Sequence, residues 1–186
     1  DRDQETQGQP VTAESGCWLA GLFLVLLLVF HVGMNIWWLQ ADNHTIRTDE
    51  EGHMLVARTY HETLFVKDYA GPVQRLIAVS QIRPGNPAHP PLFHFLGALM
   101  IAIFGYSTDT IALTNTVFFV FLLLGCHALA RTFLNPWQSL FAVFVVSMTP
   151  MVYASSRFFM TDFAAAAIIV WVIVALIRSG GLHRSS

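Results

Sequence analysis

Long apolar runs broken by short polar stretches set the pattern of this chain from about its seventeenth residue onward. Trp18 to Leu39 is an apolar run whose strongest polar interruptions are one histidine and one asparagine. About 20 such residues cross a bilayer core, so a transmembrane helix is predicted here, within 17–40. Trp37 and Trp38 close it, at the level where aromatic rings prefer the interface. Ile111 to Ala130 is a second predicted span (within 111–131). Pro136 to Tyr153 is a third (136–153), opened by a proline suited to a first helical turn. Phe163 to Ile177 is a fourth (163–178), short enough that it should recruit residues on either side.

Pro91 to Phe104, PLFHFLGALMIAIF, is harder to place. As a helix it rises about 21 Å, short of a core of roughly 30 Å. It is therefore read as an interfacial or short transmembrane helix over 91–105. If it does not cross, the Arg131 loop and the Arg178, His183 and Arg184 tail share one side with the N-terminus. The loop from Gln40 to Pro90 and the loop from Tyr153 to Asp162 then share the other. The positive-inside rule favours that arrangement. The expected fold is all-α and integral to the membrane: a polytopic helical bundle of four to five transmembrane helices. A large first extracytoplasmic loop, 41–90, would carry amphipathic juxtamembrane helices. Residues 1–16 read as a disordered cytoplasmic tail and 179–186 as a second tail. The acidic flank and long apolar run favour a retained anchor over a cleaved signal peptide.

Composition agrees with a lipid-embedded protein. Of 186 residues, 54% are hydrophobic and only 12% charged, half the charge of a soluble domain. A net charge of -2 without a Lys/Arg run points to no nucleic-acid partner. Cys17 and Cys126 lie in apolar segments and read as buried thiols. No glycine-rich phosphate loop, H-E-x-x-H or nucleophile elbow is present. Asn43-His44-Thr45 forms a glycosylation sequon on the predicted outer side.

The first loop holds much of the charge. Thr48 and Glu51 fit a capping box, so a helix should start at Asp49, and three carboxylates (Asp49, Glu50, Glu51) suit its dipole. Met54 to Phe65 mixes apolar and polar residues as a helix on a membrane surface does. Arg75 to Pro91, rich in Pro and Gly, reads as an extended strap.

Three stretches in this order carry a resemblance: Asp49-Glu50; His89-Pro90-Pro91-Leu92-Phe93; and Arg157-Phe158-Phe159-Met160-Thr161-Asp162. The pattern resembles the N-terminal part of the lipid-carrier-dependent, GT-C-fold glycosyltransferases. That group includes protein O-mannosyltransferases and the bacterial transferase that adds aminoarabinose to lipid A. The likeness runs from Gly16 to Arg178. In two respects the chain departs from the family pattern. His89 stands where relatives often carry Lys or Arg, and the family's enzymes have about eleven to thirteen spans. A fragment, a second polypeptide carrying the missing C-terminal transmembrane part, or a truncated relative would each account for the difference.

The resemblance implies sugar transfer from a polyprenyl-phosphate-linked donor to an acceptor on the extracytoplasmic face of a plasma, inner or ER membrane. Asp49 is the expected general base or acceptor-orienting group, Asp162 the second acidic residue, and Glu50, pointing elsewhere on the helix, a supporting partner in the catalytic set. His89, Arg83, Arg157 and Lys67 are the candidates for the donor phosphate. Each has a plainer reading: Asp49 to Glu51 start a helix, Thr161 or Asp162 caps one, and Arg157 is an interfacial cation or the partner of Asp162. Asp49, Asp162 and His53 carry donor atoms a divalent ion accepts, but no cofactor is required by the pattern. His31, His94 and His127 read as interhelical hydrogen-bonding residues. The alternatives are a transporter or channel subunit, lined by Asp162, Arg157 and the intramembrane histidines, or a non-enzymatic polytopic scaffold.

Overall fold

The computed structural model describes residues 12–42, 48–82 and 91–180. Eight α-helices occupy those residues: α1 (Thr12–Ala41), α2 (Thr48–His61), α3 (Pro72–Ser80), α4 (Pro91–Phe104), α5 (Thr108–Ala130), α6 (Pro136–Met148), α7 (Pro150–Ser155) and α8 (Thr161–Arg178). A π-helical turn, Glu62–Val66, continues α2. Arg83, His89, Pro90 and the sequon Asn43-His44-Thr45 lie outside the described residues.

Among the described residues, α1, α5 and α8 are long and apolar enough to cross a membrane. α5 is the central helix: 56% of its apolar stretch is buried, against 17% for α1 and 28% for α8. The exposed apolar side chains of α1, such as Phe23, Leu26, Val29 and Phe30, make a lipid-facing surface.

Ring contacts order the helices along the bundle. His31 meets Phe119 and Tyr153, and Phe23 meets Trp137. α1 and α6 therefore run together, antiparallel to α5. Phe119 packs on Phe163 and Phe121 on Trp171, so α8 runs parallel to α5. Gly125 admits this approach: a Cβ there would lie 2.9 Å from the indole nitrogen of Trp171, which donates to the Phe121 carbonyl.

α4 folds back along the N-terminal half of α5. Gly105 turns the chain at φ +86°, a conformation L-residues disfavour, and Ser107 caps α5 by accepting the Thr110 N–H at 3.0 Å. Phe93, near the start of α4, lies 5.8 Å from Phe118, so α4 stops at mid-length of its neighbour. α2 lies on α4 and runs parallel to it.

Several expectations are corrected. The predicted span Pro136 to Tyr153 is broken. Asn135 and Gln138 form a capping box around Pro136, but Thr149 is extended (ψ 121°) before Pro150, which starts α7. A residue preceding proline is pushed out of the α region, and that ends α6. Arg75 to Ser80 is helical, not part of an extended strap, because Pro72 sits at the first position of α3. α1 begins at Thr12, so residues 12–16 are helical. Cys17 is exposed and Cys126 half-buried; both are free thiols. His31 is buried, yet neither ring nitrogen has a hydrogen-bond partner among the described residues; it packs among aromatic rings instead.

Candidate functional site

The first turn of α2 carries Asp49, Glu50 and Glu51. A helix advances 100° per residue, so neighbours in such a turn face different ways. Glu50 shares its stripe with Met54 and Ala57, both buried, and is itself fully buried. Asp49 and Glu51 are exposed.

The Glu50 carboxylate reaches across the fold to the segment between α7 and α8. Its Oε1 accepts the backbone N–H of Phe159 at 2.8 Å. Phe159 is buried in turn, its ring stacked on Phe93 at 4.2 Å. Gly97 makes room for both: a Cβ there would stand 2.8 Å from the Phe159 ring and 3.1 Å from the Ala57 Cβ.

The same segment is held from below by α5. The Asn115 amide donates to the carbonyls of Ser155 (3.4 Å), Phe158 and Met160 (3.1 Å). From α1, the Asn35 amide donates to Ser156 Oγ at 2.9 Å and Thr116 Oγ1 at 3.2 Å. Asn35 Oδ1 accepts Arg157 Nε at 3.2 Å. The Arg157 guanidinium lies over the Tyr153 ring (3.9 Å) and the Trp38 ring (4.6 Å), as a cation over an electron-rich face does. Arg157 is thus not the partner of Asp162, as one expectation had it.

Asp162 lies exposed in the first turn of α8. The N-cap is Met160, without a side-chain cap hydrogen bond; neither Thr161 nor Asp162 holds that position. Negative charge in this turn still suits the helix dipole. The structure thus brings Glu50 and the Arg157-to-Asp162 segment together, with Asp49 one residue from the joint and Asp162 three. Lys67 is exposed beyond the π-helical turn. His53 faces His94, with Nδ1 3.0 Å from Nε2. Among the described residues no three His, Cys, Asp or Glu side chains gather as a metal ion requires, so Asp49, Asp162 and His53 do not form such a set.

Outside the predicted spans, burial pushes the Tyr60 phenol up, and the hydrogen bond to Glu62 raises Arg58. Neither group belongs to the joint. Asn35 and Asn115 are the joint's principal supports and were not among the expected site residues. The signal was available: an amide inside an apolar span is costly unless hydrogen-bonded, and marks a site by default.

Residues 88–182 match the family model described as dolichyl-phosphate-mannose-protein mannosyltransferase, about half of the chain. The chain belongs to that family. It is accordingly a membrane glycosyltransferase of the kind that draws its sugar from a polyprenyl-phosphate carrier. No curated protein and no solved structure matches it. The family match covers α4 to α8, with Arg157 and Asp162. It stops short of α2, so the Glu50 contact ties the unmatched acidic turn to the matched segment.

Proposed function

We propose that this chain is the catalytic N-terminal part of a transferase moving a sugar from a polyprenyl-phosphate donor to an acceptor at the extracytoplasmic face. The observation that carries the reading is the Glu50–Phe159 hydrogen bond. It joins the two acidic turns and leaves Asp49 and Asp162 exposed beside the joint.

In this reading the acceptor hydroxyl attacks the anomeric carbon as the bond from that carbon to the carrier phosphate breaks. Asp49 takes the hydroxyl proton or orients the acceptor. The polyprenyl phosphate leaves as an anion, which a cation stabilises. Arg157 suits that role. Its Nε and its planar face are engaged by Asn35, Tyr153 and Trp38, and its terminal amino groups make no hydrogen bond among the described residues. Arg83, His89 and Lys67 are further candidates for the phosphate. Asp162 orients the sugar or acceptor from the other side. Additional transmembrane helices, in the same polypeptide or in a partner, complete the acceptor and lipid sites.

The test is transfer from dolichyl-phosphate mannose, and then from other polyprenyl-phosphate sugars, by the purified protein together with those helices in lipid nanodiscs. Asp49→Asn should slow turnover by about 10²- to 10⁴-fold, the range for a lost general base, and Asp162→Asn should slow it as well. Equal turnover in both variants and the parent rejects the assignment.

A further inference from the structure

α2 and α4 meet along a stripe in which two histidines face each other. His53 Nδ1 stands 3.0 Å from His94 Nε2, the ring centroids are 5.2 Å apart, and His94 is fully buried. Nitrogens this close must share one hydrogen. A neutral imidazole has one donor and one acceptor nitrogen, whereas a protonated ring has two donors and no acceptor. Two neutral rings can make the bond. One neutral and one charged ring make it more strongly, because a charged donor shortens and strengthens it. Two charged rings cannot, and they repel at this separation.

The pair sits beside the joint described above. His53 is one helical turn from Glu50. The His94 ring lies edge-on to Phe159, at 6.4 Å, whose N–H Glu50 accepts. We propose that His53 and His94 are a positioning pair that docks α2, and with it Asp49 and Glu50, onto α4 only while at least one ring is uncharged.

On α2, Asp49 and Glu50 lie one turn before His53, and Arg58 and Tyr60 lie beyond it. α4 holds no titratable group besides His94. α5 brings Asp109 at its N-terminus, and Arg157 and Asp162 flank Phe159 in sequence. Docking therefore survives the first protonation and is lost at the second, on acidification.

The docking itself is independent of the proposed chemistry; its consequence for turnover rests on that reading. The test is hydrogen exchange of the intact protein in nanodiscs from about pH 7.5 to about pH 5, corrected for intrinsic exchange, with α8 as internal reference. Expected is a rise of at least about tenfold in exchange along α2 on acidification, with α8 unchanged. His94→Gln carries both a donor and an acceptor and should hold α2 at either pH; His53→Gln is the reciprocal variant. An α2 in the parent protein that exchanges no faster at low pH, or variants with the same response as the parent, overturns the proposal. If one variant does not fold, the parent titration and the other variant still decide. A protein that shows the exchange behaviour but transfers no sugar retains the pair and loses the functional reading. In an active protein, the acid limb of the pH–rate profile should move to lower pH in His94→Gln.

Discussion

A carboxylate as fully withdrawn from water as that of Glu50 is tolerable only when hydrogen bonds replace its hydration. The bond to the Phe159 N–H has a second function, because that buried amide needs an acceptor too. Glu50→Ala should therefore destabilise the protein by about 1–3 kcal/mol, the cost of an orphaned buried donor. Glu50→Gln keeps an acceptor and should cost less. Thermal unfolding in detergent compares them; variants as stable as the parent would remove Glu50 from its structural role. Asn35 works differently, since one amide orders two hydroxyls and a guanidinium. Asn35→Leu keeps the volume of the side chain but releases Arg157. If Arg157 meets the donor phosphate, this substitution should raise KM for the lipid-linked donor more than it lowers kcat, which steady-state kinetics reads directly.

Elements interlock here through missing side chains as much as through present ones. Gly97 lets α2, α4 and Phe159 converge, and Gly125 does the same for α5 and α8. Gly97→Val forces a branched side chain against Phe159 and Ala57, and overpacking of this kind costs about 1–3 kcal/mol. Hydrogen exchange should then rise in α2 and α4 while α8 stays protected; uniform protection would show that the three parts are not coupled at this point. The same elements show what could be read in advance. The apolar runs announced α1, α5 and α8, and Pro136 announced the start of α6, because length, hydropathy and proline position are local properties. The break at Thr149 was also local, but the apolar run masked it. α3 was not legible because the proline-rich reading from Arg75 to Pro91 takes in Leu76 and Ile77, which with Val73 have helical spacing; all three are exposed. The inward turn of Glu50 depends on how α2 is rotated about its axis. The Glu50, Met54 and Ala57 stripe hinted at that rotation, but only α4 and Phe159 determine it. The Asn115 bonds to three carbonyls bring together residues at least 40 positions apart in the chain, and no local pattern announces such a contact.

The molecule as a whole divides into two ends. The C-terminal part of α1, the third turn of α5, the α7–α8 segment and the first turn of α2 meet toward one end, through Asn35, Thr116, Arg157 and Glu50. The turn after α5, with Arg131 and the exposed Phe133, lies at the other, near Trp137 and the early residues of α1. α5 joins the two regions, and from Thr116 to Ala130 it rises about 21 Å. A chain inserted along that axis must present Asp49 and Asp162 to the same compartment and Phe133 to the opposite one. With Cys17 and Cys126 replaced by alanine, Asp49→Cys and Asp162→Cys should react with a membrane-impermeant maleimide added to one side of sealed vesicles. Phe133→Cys should react only after the vesicles are opened or inverted. Labelling of Asp49→Cys and Asp162→Cys from opposite sides would separate the acidic turns by the whole membrane. Neither the Glu50–Phe159 joint nor sugar transfer at a shared face could then hold, because a buried hydrogen bond of 2.8 Å leaves no room for a bilayer between its partners.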